Sequence, residues 1–452
     1  MIQNMTENQI TLYIIKTLKE NKKKDFDVIL DELQPYDIAQ LYENLPEKHQ
    51  PRFLLFLSVD RLADLLEELN KEKQLEVLNK IGKERTGKVL DEMDNDDLAL
   101  LLDELSPEKI ASLLSGMKKS ESQIVQDIMN YPPETAGRIM TNRFVWIRDY
   151  YSVKAAVEKL KIFAEYAETI NYLYVIDQHR KLVGVVSYRD LLIAEPHEKI
   201  SDVMYERVIA ATVTTDQEEV ARMVERYDFL AIPVVNEENV LMGIATVDDL
   251  IDVVIQEANE DIEKLSASGK SIDFDTKAFV AAYRRLPWLI LLLFIGILSG
   301  GIISGYEQTL EQVVALTFFM PMISGMTGNT GTQSLAVVVR GLISNDINKK
   351  VVTKLILREF FVGLLIGLTC GILISLIAYF WQGNAVLGLV VGVSLFLTLI
   401  IGTLAGAVIP LILYRLNIDP AIASGPLITT LNDIFSLITY FGIATMFISY
   451  LT

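Results

Sequence analysis

One carboxylate in this chain stands apart by its isolation. Asp433 is the only charged side chain between Pro420 and Thr452. An ionised group at bilayer depth is costly, and it usually faces a bundle interior or a water-filled path. No Lys or Arg lies within two helical turns of it, so its partner is a cation, a proton or a group distant in sequence. The other reading is an Asp hydrogen-bonded between helices with a packing role. Asp419 lies fourteen residues earlier. Nearly four helical turns separate the two, which predicts one helix face with carboxylates about 21 Å apart, one at a pore mouth and one deeper. A helix cap before Pro420 is the competing role for Asp419.

A second polar signal is the run Gly325-Met326-Thr327-Gly328-Asn329-Thr330-Gly331-Thr332-Gln333-Ser334 inside an apolar stretch. Glycines, hydroxyls and amides at membrane depth predict a disturbed helix lining a cavity, with free carbonyl and amide oxygens near the water shell of an ion. Close helix packing through small residues is the alternative. The third signal is acid density. Residues 201–265 hold sixteen Asp and Glu against Arg207, Arg222, Arg226 and Lys264. Asp91, Glu92, Asp94, Asp96, Asp97, Asp103 and Glu104 fall in one stretch with no basic residue. Such density repels a compact state unless counterions screen it, and hard divalent cations with oxygen ligands are the natural screen. A solvated acidic face is the plain alternative.

These groups need elements to hold them, and the chain splits in two. Residues 286–452 carry six basic and six acidic side chains, so the whole net charge of −18 belongs to residues 1–285. The apolar half reads as five spans near 286–304, 312–339, 360–380, 386–413 and 422–450, each long enough for the ~20 residues a bilayer requires. Arg284 and Arg285, the group Arg340, Lys349, Lys350, Lys354 and Arg358, and Arg415 all fall on one side of those spans. That distribution predicts a cytoplasmic N-terminus and an extracytoplasmic C-terminus in a cell membrane. The opening MIQNMTENQI is polar, and no signal peptide is expected. Cys370 is the single cysteine and His49, His179 and His197 are scattered, which argues against a disulfide framework and against zinc or copper.

The soluble half contains two repeats. Ile38-Ala39-Gln40-Leu41, Leu62-Ala63-Asp64-Leu65, Leu98-Ala99-Leu100-Leu101 and Ile110-Ala111-Ser112-Leu113 start at separations of 24, 36 and 12 residues. Pro35 and Pro107 stand three residues before a phrase, a favoured helix start. Short helices at a fixed period predict a superhelical or bundled all-α domain. Further on, Asn171–Ile176 and Leu230–Val235 are β-rich, and each is followed by a turn, a strand and a helix start. The shared form Gly-apolar-x-Ser/Thr-x-x-Asp includes Gly184, Ser187 and Asp190, then Gly243, Thr246 and Asp249, with the glycines 59 residues apart. The hydroxyl can cap the following helix and the Asp lies in its first turn. This tandem resembles a pair of cystathionine-β-synthase-type (CBS) domains. The resemblance implies ATP or a related nucleotide at Ser187, Asp190, Thr246 and Asp249, with helix capping alone as the alternative.

With GNTGTQS at 328–334 and DPA…SGP…TT…D at 419–433, the chain resembles the MgtE family of magnesium channels over nearly its whole length. The resemblance implies a multidomain homodimer in the lipid bilayer: an all-α superhelical N-domain, an α/β CBS pair, and an all-α polytopic membrane domain with five transmembrane helices. The expected boundaries are 1–132, 133–200, 201–257, a connecting plug helix at 258–283, and a pore domain at 284–452. It implies Mg²⁺ bound through waters at Asp433 of both protomers, near Gly325, Gly328, Asn329 and Thr332. It implies that Mg²⁺ at Glu257, Glu260 and Asp261 of the plug, bridged to the other acidic domains and the pore mouth, holds the pore shut. From the acid density, Asp216, Glu218, Asp228, Asp249, Asp252, Glu257, Glu260 and Asp261 are expected to gather around Mg²⁺, with Asp96 and Asp97 as further ligands and Asp419 sharing an ion with Glu260 or Asp261. Two departures stand out: Leu100 replaces an acidic residue usual in the family, and Met326-Thr327 replaces small residues. The expected function is a Mg²⁺-selective channel or transporter, with another divalent cation or a non-transporting adenylate sensor as alternatives. An enzyme is not expected, since no Ser-His-Asp set, Walker loop or Cys-His site is evident, and nucleic acid is not expected as a partner.

Overall fold

A proline in the first turn of a helix gives up no hydrogen bond, and Pro35 and Pro107 both sit there. The structure is a computed structural model that describes residues 5–103, 105–164, 166–267, 272, 276–344, 349–416 and 418–451, without the side chains of 343 and 344. Glu104 of the acidic run and residues 268–271 and 273–275 of the connecting segment lie outside the described residues. The chain divides into two compact units, Met1–Ile255 and Gln256–Thr452.

The first unit opens with α1 (Glu7–Glu20), α2 (Lys23–Leu30), α3 (Pro35–Asn44), α4 (Gln50–Phe56) and α5 (Val59–Glu67). It continues with α6 (Lys71–Ile81), α7 (Lys83–Leu90), α8 (Asn95–Leu102), α9 (Pro107–Leu114) and α10 (Lys119–Met129). The four repeat phrases fall on α3, α5, α8 and α9. Alternate helices stack in turn, α1 on α3, α3 on α5, α5 on α7 and α7 on α9, around one core running from Ile14 to Val125. That ladder is the superhelical arrangement.

Next come β1 (Phe144–Arg148), α11 (Val153–Phe163), β2 (Thr169–Ile176), β3 (Leu182–Ser187), α12 (Tyr188–Ile193) and α13 (Ile200–Val203). The second copy has β4 (Ala211–Thr212), α14 (Gln217–Tyr227), β5 (Ala231–Val235), β6 (Leu241–Thr246) and α15 (Val247–Leu265). Both sheets follow one plan: the first strand runs parallel to the middle strand, which runs antiparallel to the third. Gly184 pairs with Val175 and Gly243 with Val234, so the motif glycines hold equivalent register positions. A Cβ on Gly243 would lie 2.7 Å from the Thr141 carbonyl oxygen, so only glycine allows that approach.

The expected plug helix over 258–283 is not one helix. α15 starts earlier, at Val247, and stops at Leu265, where Ala267 turns into the left-handed region at φ 55°. The second unit then holds α16 (Ala278–Gly305), α17 (Glu307–Gln312), α18 (Leu316–Ser344), α19 (Lys349–Gln382), α20 (Ala385–Arg415), α21 (Gly425–Met446) and α22 (Ile448–Leu451). Four of these, α16, α19, α20 and α21, are long and apolar enough to cross a membrane. α18 is as long, but the polar run from Gly325 to Ser334 dilutes its apolar character. α20 packs against α18, α19 and α21, and glycines at 363, 367 and 371 of α19 let the two backbones approach closely. α16 buries no side chain within its own chain.

Candidate metal centres

The polar run does not break its helix. α18 continues through it, and the threonine hydroxyls return to their own backbone: Thr327 donates to the Ile323 carbonyl at 2.7 Å, and Thr332 to that of Asn329 at 2.9 Å. The expectation of free carbonyls is therefore corrected, and the oxygens on offer are those of side chains. The glycines divide in function. Gly331 is pressed against Asn432 and Gly406, whereas a Cβ on Gly325 would meet nothing within 4 Å. Gly325, Gly328, Asn329 and Thr332 recur at the spacing of one helix face. Gly328 touches Thr429, one turn before Asp433 on α21, and Ser324 donates a hydrogen bond to the Asp433 carboxylate. Thus the half-buried Asp433 lies beside the start of that face, held by a hydroxyl from the neighbouring helix. Met326 and Thr327 point into the bundle instead, so the second departure changes packing and not this face.

Asp419 and Asp433 do not share a helix. Asp419 caps a short 3₁₀ turn, Pro420–Ile422, accepting from the Ala421 N–H at 2.8 Å, and α21 begins only at Gly425. The other oxygen of Asp419 lies 2.6 Å from Nζ of Lys264, which also pairs with Glu260 at 2.5 Å. The end of α15 therefore meets Asp419 through an ammonium, where an ion shared with Glu260 or Asp261 was expected. Burial pulls the Lys264 ammonium down, yet the ion pairs with Asp419 and Glu260 outweigh it and raise its pKa above the ordinary lysine value. Leu265 packs beside Leu335, Ala421 and Ile428 at the same junction. Asp261 has its pKa raised by burial and then by the Asp419 charge.

The acidic residues of the first unit converge as the sequence could not show. Asp94 precedes α8, and Asp96 and Asp97 form its first turn, where the helix dipole favours negative charge. Glu67, Asp94 and Asp97 bring carboxylate oxygens within 4.8 Å of one another, and so do Glu168, Asp248 and Asp249. Asp96, which feels charges from both sets, is buried with Oδ1 unpartnered, as is Oε2 of Glu168. Burial raises the Asp97 carboxyl to about 8, with Glu67 adding repulsion. Burial likewise raises Glu67 and Glu168 to about 7 and Asp249 to about 6, and holds Asp96 well above the carboxylate range. Oxygen-only ligands with orphaned buried oxygens suit a hard divalent ion, whose ligands on Mg²⁺ stand ~2.1 Å from the metal.

Counterions also arrive from outside the acidic run. Arg143 pairs with Asp94 at 2.7 Å, and the buried Arg138 pairs with Asp103. Part of the acid charge is therefore screened by arginines of the chain itself. Leu100 is partly exposed, and the cluster assembles without a carboxylate there. Glu67, Glu168 and Asp248 were missed by sequence reasoning. Asp94 lay within the acidic run but was not singled out. Of the eight carboxylates expected to gather, Asp216, Glu218, Asp228 and Asp252 stand in neither of these sets. Asp216 caps α14 at one end, accepting from the Glu218 N–H at 2.9 Å, and Glu218 pairs with Arg222. Asp228 closes the other end of α14 in a left-handed conformation. Asp252 is exposed, and its charge raises the pKa of Glu68 after burial does.

The two hydroxyl–Asp motifs diverge. Ser187 and Asp190 form a reciprocal capping box on α12. They line a cavity of about 310 Å³ with Tyr172, Tyr174, Arg207 and Phe229, and the buried Tyr174 hydroxyl is unpartnered. Thr246 bonds Asp249, which belongs to the acidic cluster and not to that cavity.

Fold and sites define a multi-pass membrane protein joined to a carboxylate-rich half built from a helical ladder and tandem α/β units. Residues 320–443 match the family model for a divalent cation transporter, 33–134 that of the MgtE intracellular N domain, and 136–197 and 200–256 that of the CBS domain. A magnesium transporter MgtE of Bacillus subtilis (strain 168) is 62% identical over 448 residues, covering 99% of both chains. The crystal structure of the soluble part of a magnesium transporter superposes with a TM-score of 0.54 at 36% identity, over 56% of this chain and 100% of that one. The cytosolic domain of the Mg²⁺ channel MgtE in complex with ATP gives 0.51 at 33% identity, over 54% and 99%. The chain belongs to the MgtE family of magnesium transporters.

Proposed function

We propose that this protein is a Mg²⁺-selective channel or transporter for magnesium uptake, closed by intracellular Mg²⁺ held in its acidic half. The observation that carries the pore is Asp433 beside the face of Gly325, Gly328, Asn329 and Thr332. Mg²⁺ sheds water reluctantly and demands octahedral oxygen geometry. A lone carboxylate flanked by small residues and an amide suits an ion that keeps its water shell. In a homodimer two such faces would enclose one path, with α18 as the fifth span. The one-sided Arg and Lys support an N-in, C-out orientation. The domains are read as 1–132, 133–200, 201–257, 258–283 and 284–452.

Closure would follow from ligand-dependent populations. Mg²⁺ shifts the equilibrium only as far as it binds the closed form better. α15 carries Asp248 and Asp249 of the acidic cluster in its first turn and Lys264, paired with Asp419, in its last. Metal at Glu67, Asp94, Asp96, Asp97, Glu168, Asp248 and Asp249 relieves their repulsion and steadies that helix. The cavity at Ser187 and Asp190 suits a nucleotide, with aromatic rings for a base and Arg207 for phosphate. Uptake of Mg²⁺ into liposomes tests the pore. Asp433→Ala should abolish flux while the protein stays folded, and undiminished flux would sink the assignment.

A further inference from the structure

Below the pore, the start of α19 is the most basic part of the membrane unit. Residues 340–359 hold Arg340, Lys349, Lys350, Lys354 and Arg358 against Asp346 and Glu359, a net charge of +3. Asp346 lies outside the described residues, and Glu359 is already engaged. One of its oxygens accepts from Ser334 Oγ at 2.7 Å, and the other from Arg358 Nε at 3.1 Å and its terminal nitrogen at 2.8 Å. Between the ends of α18, α19 and α20 lies a cavity of about 220 Å³. Its walls include Gly341, Leu342, Leu355 and Leu411, and its cations are Lys354 and Arg358. Gly341 leaves room in it: among the described residues a Cβ there would meet nothing within 4 Å. Lys354 and Arg358 are one helical turn apart, the spacing at which two side chains reach a common group.

We propose that this cavity binds an anionic glycerophospholipid, with its phosphodiester between Lys354 and Arg358 and its glycerol and first methylenes against Gly341 and the leucines. Charge complementarity and position select this occupant. The cations mark the level where α19 passes from its basic start to the uninterrupted apolar stretch after Glu359, and basic pockets between spanning helices at that level receive lipid headgroups. Free phosphate would satisfy the cations and leave the apolar walls bare. The site lies on the side of α18 that faces α19 and α20, apart from the face beside Asp433, so it is independent of how the ion moves.

The test is native mass spectrometry of the delipidated full-length protein in detergent. The probes are palmitoyl-oleoyl phosphatidylglycerol, palmitoyl-oleoyl phosphatidylcholine and inorganic phosphate. The parent should retain one phosphatidylglycerol per protomer in preference to phosphatidylcholine, and millimolar phosphate should not displace it. Lys354→Gln should weaken retention about fivefold, the effect of one charge near a membrane surface. Gly341→Leu, which fills the cavity and leaves every charge in place, should weaken it at least as much. Lys349→Gln, outside the cavity, should bind as the parent does. Equal losses in Lys349→Gln and Lys354→Gln would overturn the site in favour of diffuse attraction. Unchanged retention in Gly341→Leu, with its folding verified by thermal melting, would overturn the apolar part, and displacement by phosphate would overturn the lipid. Should Gly341→Leu fail to fold, the Lys354→Gln and Lys349→Gln pair decides alone, since both residues are exposed.

Discussion

The two halves treat negative charge in opposite ways. In the first unit, Glu67, Asp94, Asp96, Asp97, Glu168, Asp248 and Asp249 are crowded together, partly answered by Arg143. In the second, Asp433 has one hydroxyl partner from Ser324 and open space beside Gly325. A crowded set binds a divalent ion strongly because the alternative is mutual repulsion or retained protons. A single carboxylate holds a hydrated ion weakly enough to let it leave. The contrast separates a site suited to measuring Mg²⁺ from one suited to passing it.

The largest effect is expected at Asp433. Asp433→Asn keeps the hydrogen bond from Ser324 and removes the charge, so uptake should fall as far as in the alanine variant. If the asparagine variant conducts normally, the carboxylate is a packing group and the contrast collapses. Next is the crowded site. Asp97→Asn removes a ligand shared with Glu67 and Asp94, and the Mg²⁺ concentration that protects the soluble half from protease should rise about tenfold or more. An unchanged midpoint would place the sensor elsewhere.

The raised carboxyls give the comparison a pH axis. Asp97 sits at about 8, Glu67 and Glu168 at about 7, and Asp249 at about 6. The folded chain then holds protons that the unfolded chain releases above about pH 4, so metal-free stability falls as pH rises from there toward 8. Mg²⁺ competes with those protons, so the melting temperature gained on adding Mg²⁺ to the full-length protein should grow between pH 6 and pH 8. A gain that is flat with pH would show that these groups do not bind it. The smallest effect is expected at the α15 junction. Asp419→Asn keeps the cap on Ala421 and loses the ion pair with Lys264, so conduction should persist while closure needs a few-fold more Mg²⁺, roughly the effect of one partly exposed pair. Closure at the parental concentration would leave Asp419 a cap alone.

Much of this was legible in the sequence, for reasons that differ by element. Helical repeats, paired strands and apolar helices declare themselves through local periodicity. Asp433 was visible because nothing charged surrounds it. Glu67 and Glu168 were not, since each is one acid among 59 and only tertiary packing buries them. Arg138 and Arg143 answer α8 from more than thirty residues away, beyond any sequence window. The polar run in α18 misled in a specific way. Its threonines advertise a broken helix, yet their hydroxyls satisfy the helix they occupy. The spacing of Asp419 and Asp433 misled because Pro420 and Ser424 interrupt the helix that the arithmetic assumed.

Lys264 leaves a last consequence at the foot of α15. A dissolved ion is present at whatever concentration its surroundings supply, but this ammonium is covalently tethered within reach of Glu260 and Asp419. Its effective concentration there does not fall when metal is withdrawn. Depleting Mg²⁺ therefore strips the dissolved counterions and leaves the tethered one in place. Under the proposed closure by Mg²⁺, the junction would start from a fixed offset, set by a residue that no change in the medium can remove.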